Sequence, residues 1–386
     1  MESKKVSELA KQVRGVSYKP EDLHDGLNDK SVILLRANNI NDGKINFDDV
    51  VYVDKSKVSK EQYLQNGDIL ICASSGSKQL VGKAASVDFD IECTFGAFCK
   101  VVRPNPSIAE FLGIYFQSNT YRQKVSEVAI GANINNIRNE HIDNLILSVG
   151  TYEENAEIVK VMAMIQRLID ARKWEFQELD NLVKARFIEV FGESDKNTKQ
   201  FPVRKLNEIS SYWNGLTYKP VDTVEDGNGT LVLRSSNIQN GVLAFDDNVY
   251  VSCDIKEKLL VQDNDILMCS RNGSAALVGK TALIKGLVEP TTFGAFMMII
   301  RSEYYSYLKT YFEMPFFRSQ ISTGTSTINQ ITGKMLNEIS LPVPDIGTVK
   351  VFEEFVNRIA KSKSVIEKSL KELETLQASL MQKYFS

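Results

Sequence analysis

Two stretches of the chain, offset by about 195 to 200 residues, carry the same short strings in the same order. Val16-Ser17-Tyr18-Lys19-Pro20 returns as Leu216-Thr217-Tyr218-Lys219-Pro220, and Leu34-Leu35-Arg36-Ala37-Asn38-Asn39-Ile40 as Val232-Leu233-Arg234-Ser235-Ser236-Asn237-Ile238. Residues 43–53 match 241–251. Further on, Gly67-Asp68-Ile69-Leu70-Ile71-Cys72 pairs with Asn264-Asp265-Ile266-Leu267-Met268-Cys269, and Leu80-Val81-Gly82-Lys83 with Leu277-Val278-Gly279-Lys280. Thr94-Phe95-Gly96-Ala97-Phe98 recurs unchanged as Thr292-Phe293-Gly294-Ala295-Phe296, and Ile134-Asn135-Asn136-Ile137 as Ile328-Asn329-Gln330-Ile331. A period this long marks a duplicated domain, not a solenoid.

Each copy has two parts. The first, about 145 residues, alternates short β-rich runs such as Val50-Val51-Tyr52-Val53 with glycine-containing loops. The second, about 40 residues, reads as one long helix, since 153–191 and 349–385 contain neither proline nor glycine. A seam at 3–4 spacing runs through Ile158, Met162, Ile165, Ile169, Arg172, Phe176, Leu179, Val183, Arg186 and Val190. Its counterpart runs through Phe352, Val356, Ile359, Lys363, Ile366, Leu370, Leu373, Gln377, Leu380 and Tyr384. This is coiled-coil spacing. At 1.5 Å per residue each helix is roughly 60 Å long, too long to hide its stripe in a small domain. The economical solution is that the two pack on each other, antiparallel. A dimerisation coil would explain the seam but not its alternation with two similar globular parts. The expected architecture is α/β (α+β): mixed domains at 1–150 and 193–344, antiparallel coiled-coil helices at 151–192 and 345–386, and a pseudo-twofold axis from the duplication.

The 386 residues suffice for two or three domains. No run of about 18 apolar residues predicts a membrane span, and the polar start lacks a signal-peptide core. The five cysteines include no C-x-x-C pair and sit partly in apolar strand-like runs, as buried free thiols of a cytoplasmic protein would. The net charge of −3 counts against a simple DNA binder. Phosphate contact, however, needs only a local basic face, and a reader that shares the duplex with partners need not supply all the charge.

Enzyme signatures are missing. Gly273 to Lys280-Thr281 suggests a phosphate loop, but five residues separate Gly273 from Gly279 where that motif needs four, and the first copy ends Gly82-Lys83-Ala84 without a hydroxyl. There is no Asn/Asp-Pro-Pro-aromatic methyltransferase motif and no G-x-G-x-x-G opening a helix. His24 and His141, the only histidines, have no metal-ligand spacing and read as surface or turn residues.

The order of globular part, helix, globular part, helix resembles the specificity subunits of type I restriction–modification systems. The strings that carry the resemblance are Arg36 with Asn39-Ile40, Gly67-Asp68-Ile69-Leu70 and Ser75-Gly76-Ser77, then Arg234 with Asn237-Ile238, Asp265-Ile266-Leu267 and Arg271-Asn272-Gly273-Ser274. Leu341-Pro342-Val343-Pro344 looks like the strand that closes such a domain. The Pro-Pro-Leu-x-Glu-Gln common at the helix start in that family survives here only in fragments. The resemblance implies target-recognition domains that bind a bipartite sequence in double-stranded DNA. It also implies docked modification subunits, two in number, that supply methyl transfer with S-adenosylmethionine bound to them, and restriction subunits that join to translocate and cut. This chain would then hold no cofactor and catalyse nothing. The rival readings are the recognition subunit of another restriction or phage-defence system, and a coiled-coil scaffold whose globular parts bind protein.

Reading base pairs needs donors and acceptors on a groove-facing surface with cations beside them. Four places per copy offer these. The first is Tyr18-Lys19 and Tyr218-Lys219, where a lysine meets a phosphate, unless the string is only a turn set by Pro20 and Pro220. The second is Arg36, Asn38 and Asn39, with Arg234, Ser236 and Asn237, since arginine suits guanine and asparagine suits adenine; the competing reading is an Asx turn at a strand end. The third, and the favoured one, is the loop of Ser74, Ser75, Ser77 and Lys78, with Arg271, Asn272 and Ser274, whose small residues allow close backbone approach. The fourth is Asn133, Asn135 and Asn136, with Ser326, Thr327 and Asn329. The identical Thr94–Phe98 and Thr292–Phe296 strings fit a core strand better than a base reader.

Overall fold

The computed structural model describes residues 2–77, 80–131, 136–193, 195–225, 227–321 and 330–385, with residues 128–131 as backbone only. Helix and sheet are mixed throughout. The chain divides into two compact units, Met1–Lys173 with Glu367–Ser386, and Trp174–Ile366.

In the first unit the run Ile69-Leu70-Ile71-Cys72 is buried along its whole length. Side chains alternate faces in a strand, and here both faces are covered. Ile69 and Ile71 join the cluster built on Phe111, Leu112 and Tyr115 of the helix Ala109–Tyr115. Leu70 and Cys72 join Leu35, Phe95 and Val101 on the other side. The strand therefore sits between a helical layer and a second sheet, which explains an unbroken apolar run where a half-exposed strand would alternate. Its sheet is antiparallel, in the order Ala10–Arg14, Cys99–Pro104, Ile69–Cys72, Ala84–Ser86. The second sheet runs Cys93–Phe95, Ser31–Leu35, Val51–Asp54, Leu23–His24, its first pair parallel.

The second unit has the same two orders. One sheet is Ser211–Asn214, Met297–Arg301, Ile266–Cys269, Thr281–Leu283; the other is Thr291–Phe293, Thr230–Leu233, Tyr250–Val251, Thr223–Val224. Ile266 and Met268 face the aromatic cluster of Tyr307, Tyr311 and Phe317, and Leu267 and Cys269 face Leu233 and Phe293. In each unit the opening strand pairs with the strand ahead of a long helix: Glu2–Lys5 with Ile146–Val149, and Val203–Lys205 with Ser340–Pro342.

The long helices are Tyr152–Phe191 and Ile346–Phe385. The first opens with a capping box: Glu154 N donates to Thr151 Oγ1 at 3.2 Å, and Thr151 N to Glu154 Oε2 at 2.9 Å. The second starts on Asp345, whose Oδ1 accepts from Thr348 N at 2.9 Å. The bonds from Thr348, its hydroxyl first, hold the Asp345 carboxyl below its ordinary range. Within the first unit, Gln377 Nε2 donates to Gln166 Oε1 at 2.8 Å and Lys173 pairs with Glu374 at 3.6 Å. One number rises as the other falls, so these segments run antiparallel. Phe385 packs on Phe111 at 5.2 Å between ring centres and lies in one cluster with Ile158 and Met162. The second unit repeats the sense: Lys363 meets Asp180 at 2.6 Å, and Phe187 meets Phe352 at 5.8 Å between ring centres. The polar seam members Lys363 and Gln377 thus find polar partners, and Lys363 also lies 4.0 Å above the Phe176 ring. Polar pairs in an apolar seam fix register.

All five cysteines are free thiols, and only Cys253 is not buried. Burial pushes the Cys93 and Cys99 thiols up to about 12, which leaves almost no reactive thiolate at neutral pH. Neither histidine is the surface or turn residue expected from the sequence: His24 lies on the strand Leu23–His24 and reaches Asp54 of the paired strand Val51–Asp54 at 3.2 Å, and His141 caps the short helix Asn139–Asp143, its Nδ1 accepting from Arg138 N at 3.2 Å.

Candidate nucleic-acid interface

A backbone platform assembles the loops that the sequence singles out. In the first unit Val16 N donates to Phe95 O at 2.8 Å and Ala97 N to Val16 O at 2.9 Å. The carbonyl of Phe98 accepts from both Ala73 N and Ser74 N, at 2.9 and 3.0 Å, and Ile137 N donates to Ala73 O at 2.7 Å. Segments far apart in sequence are thereby stitched edge to edge. The second unit uses the same bonds: Leu216 N to Phe293 O at 2.7 Å, Ser270 N and Arg271 N to Phe296 O at 2.9 and 3.1 Å, and Ile331 N to Ser270 O at 2.7 Å.

A concavity forms on each platform. In the first unit Tyr18, Arg36, Asn38, Ser74, Ser75 and Phe98 line it. In the second the lining includes Tyr218, Arg234, Ser236, Arg271, Asn272 and Phe296. The first three predicted places therefore converge in both units. Phe98 and Phe296 correct the reading of their strings as core strand. Thr94 and Phe95 are core, but the strand ends at Phe95, and the turn after it leaves Phe98 72% and Phe296 59% exposed. A large aromatic held out by a hydrogen-bonded turn, twice, is the feature that sequence reasoning missed. Its only signal was the unchanged phenylalanine one turn past a buried strand.

Arg36 Nη2 donates to Asp49 Oδ2 at 2.9 Å, and Asn38 Nδ2 shares that oxygen at 2.8 Å. Arg234 pairs with Asp247 at 2.9 Å. Asp49 and Asp247 are well exposed, and the buried Nε of each arginine has no hydrogen-bond partner. Each guanidinium is thus aimed by one exposed carboxylate and keeps donor capacity; exposed ion pairs of this kind contribute little to stability. Arg271 lies 5.3 Å from the Phe296 ring centre, and Asn272 Nδ2 donates to Ser235 Oγ at 3.2 Å.

Asn39 and Asn237 are corrected. Both are 0% exposed. Asn39 Oδ1 accepts from Arg36 N at 2.8 Å and its Nδ2 donates to Asn46 O at 3.1 Å; Asn237 repeats this with Arg234 N and Ala244 O, both at 2.9 Å. With their amides committed to the backbone they hold the turn that presents the arginine. Lys19 and Lys219 are exposed beside the concavities; Lys19 pairs with Glu21 at 3.6 Å. Ser77 and Ser274 sit on exposed turns, each donating its backbone N–H to a side chain two residues back, Ser75 and Asn272. Asn136 is exposed and bridges to Ser74, as Gln330 does to Arg271. Lys78, Asn133, Asn135, Ser326, Thr327 and Asn329 lie outside the described residues.

Residues 1–181 match the type I restriction modification DNA specificity domain. The chain is 31% identical over 375 residues to the type I restriction enzyme EcoKI specificity subunit of Escherichia coli K12, covering 92% of this chain and 80% of that one. The chain belongs to the type I restriction enzyme specificity subunits. A second relative, the StySPI specificity subunit of Salmonella potsdam, is 28% identical over 98% of this chain and 87% of its own length. The fold is shared with a chain solved for work on complex assembly and conformational transition of the type I R-M system (TM-score 0.56, 15% identity, 99% of this chain and 97% of that one). It is shared too with the type I S subunit of M. genitalium (TM-score 0.50, 14% identity, 100% and 96%). Each of the two units carries one concavity lined by hydrogen-bond donors. Among the described residues, no cluster of side chains could hold a metal ion, and no helix is long and apolar enough to cross a membrane.

Proposed function

We propose that this specificity subunit reads a two-part DNA target, one half in each concavity. One observation carries the proposal: both units gather a tyrosine, an arginine aimed by an aspartate, a polar loop and an exposed phenylalanine around one platform. Arg36 and Arg234 suit guanine edges. The Ser74–Ser77 and Arg271–Ser274 loops approach by their backbones, and the two phenylalanines contact apolar base surface. These loops differ between the copies, as expected if the two target halves differ. The recognition domains are 1–150 and 193–344. The helices 151–192 and 345–386 form an antiparallel coiled coil, with the duplication giving a pseudo-twofold arrangement, and they set the gap between the halves as dimer geometry does in other DNA readers. The antiparallel contacts inside each unit support this role. The chain recognises without reacting: two modification subunits bind S-adenosylmethionine and methylate, and restriction subunits join them, in the cytoplasm where the DNA lies.

The test is a map of methylated bases in the host genome with and without the gene. The expected result is loss of one two-part motif on deletion. Replacing residues 1–150 by those of another family member should change one half and leave the gap and the other half intact. An unchanged map beside an active modification subunit would overturn the proposal.

The phenylalanines give a sharper expectation. Burying an exposed phenylalanine against the apolar edge of a base, such as a thymine methyl, is worth about 1.5–3 kcal/mol, and about 1.4 kcal/mol is tenfold in affinity. Phe98→Ala should therefore weaken binding of the matched duplex at least about tenfold. Because the side chain is exposed, stability should move by no more than about 0.5 kcal/mol. Titration of a labelled duplex and a thermal melt check both.

A further inference from the structure

Arg14 and Lys100 stand directly opposite each other on the antiparallel strands Ala10–Arg14 and Cys99–Pro104. Like charges in that position repel and destabilise the pair. The second unit avoids the conflict: the same register there holds Asn214 opposite Met298. Neither cation of the first unit is relieved by an ion pair among the described residues. Lys100 Nζ donates to the neutral amide oxygen of Asn139. Its ammonium pKa is driven down by burial first and by Arg14 second, and Asp143 offsets this only in part. The nearby carboxylates have other partners: Asp143 Oδ1 accepts from Gln12 at 2.7 Å, and Glu140 faces Arg138 at 3.5 Å and His141 at 3.7 Å. Arg14, Lys100, Asn136 and Arg138 line a groove that shares Ser17, Ala97 and Cys99 with the first unit's concavity, and Glu140, which also lines it, is paired with Arg138. Where the first unit has Arg138, the second has Thr332.

We infer that Arg14 and Lys100 form a phosphate-binding site for the DNA backbone, present in the first unit and absent from the second. The inference rests on the DNA reading above and deepens it. A phosphodiester in the groove carries one negative charge and attracts both cations, so binding offsets part of the repulsion that folding leaves. Continuity with the concavity places that phosphate beside the bases being read, where contacts position the duplex without reading sequence. The two halves of the target are then held unequally: the first half has a strong backbone anchor, and the second relies more on base contact.

The experiment uses the complex of this chain with its modification subunits and a duplex carrying the mapped motif. Lys100→Met and Arg14→Asn install the residues of the second unit. Together the two changes should make the slope of log affinity against log salt shallower by about 0.9, for the one phosphate no longer neutralised, and each alone by part of that. Matched and unmatched duplexes should weaken alike, and the melting temperature should hold or rise because a like-charge pair is gone. Asn214→Ala, the matched control, should leave the slope unchanged. A site with only a structural role would lose melting temperature and keep its slope. An unchanged slope in both variants overturns the phosphate site while the parent complex still discriminates matched from unmatched duplex. If the parent itself does not discriminate, the DNA reading falls, and this inference falls with it.

Discussion

Asp68→Ala is expected to destabilise the first unit by about 3–5 kcal/mol, a large share of the roughly 5–15 kcal/mol that holds a domain folded. Asp68 is 1% exposed and takes one edge of the Arg103 guanidinium in a bidentate pair, with Nε donating to Oδ1 and Nη2 to Oδ2, each at 2.7 Å. The same arginine also donates to Tyr63 O at 2.9 Å and Glu61 O at 3.2 Å, and Asp68 Oδ2 accepts from Gln65 N at 2.9 Å. One buried ion pair therefore closes the loop ahead of the central strand Ile69–Cys72. Removing the carboxylate leaves a buried cation and an unpaired N–H, and the penalty comes from those orphans more than from the missing attraction. Denaturant unfolding of the isolated chain measures it. Asp68→Ala combined with Arg103→Met should be less destabilised than the single change, since the orphaned charge leaves with the arginine. Asp265→Ala should be milder. Arg301 makes the same two bonds at 2.6 and 2.7 Å, but about a third of its side chain reaches solvent and it stacks 5.0 Å from the Trp213 ring centre. Equal losses at the two positions, or a double variant worse than the single one, would refute this account of the clamp.

That clamp also shows where sequence reading reaches its limit. The Gly-Asp-Ile-Leu string was legible as part of a repeated pattern, and its Ile-Leu-Ile-Cys run as a strand, because hydrophobic pattern is local. The aspartate's partner lies 35 residues on, and nothing local marks Arg103 or Arg301 as that partner. The long helices were legible from their seams for the same reason that the strand was. Asn39 misled because an amide suited to an adenine edge is equally suited to a turn, and only burial separates the two uses. Phe98 misled in the opposite sense. An apolar residue in a repeated apolar string reads as core, and the backbone bonds to its carbonyl that turn the side chain outward come from Ala73 and Ser74, which sequence does not place beside it. Convergence of the first three predicted places into one concavity is likewise a tertiary fact. Their pairing across copies showed that they matter together, but not that they meet.

Gly15→Ala should remove recognition of one target half and leave the other intact. A Cβ on Gly15 would lie 2.1 Å from Gly96 O and 2.5 Å from Gly96 C, and both are backbone atoms that no rotamer change can clear. Gly96 O is itself bonded by Cys99 N at 2.8 Å, so the turn that presents Phe98 cannot yield without breaking its own closure. Overpacking against a fixed backbone is expected to cost about 3 kcal/mol, the upper end of the usual range. The larger effect is positional: Phe98, Ser74 and the Arg36 turn are all registered on this platform. Each mismatched base pair in a recognised site typically lowers affinity by about 1–3 kcal/mol. In the Gly15→Ala complex that discrimination should vanish for every position of the half assigned to residues 1–150 and persist across the other half. Gly215→Ala should do the reverse, since its Cβ would meet Phe293 O at 2.1 Å and Gly294 O at 2.5 Å. Binding to a panel of singly substituted duplexes separates the outcomes. Phe98→Ala, by contrast, should weaken the first half without erasing its base preferences, because it removes one side chain and keeps the platform. If Gly15→Ala leaves discrimination intact in both halves, the platform does not position the readers, and base reading has to be sought on another face of the first unit.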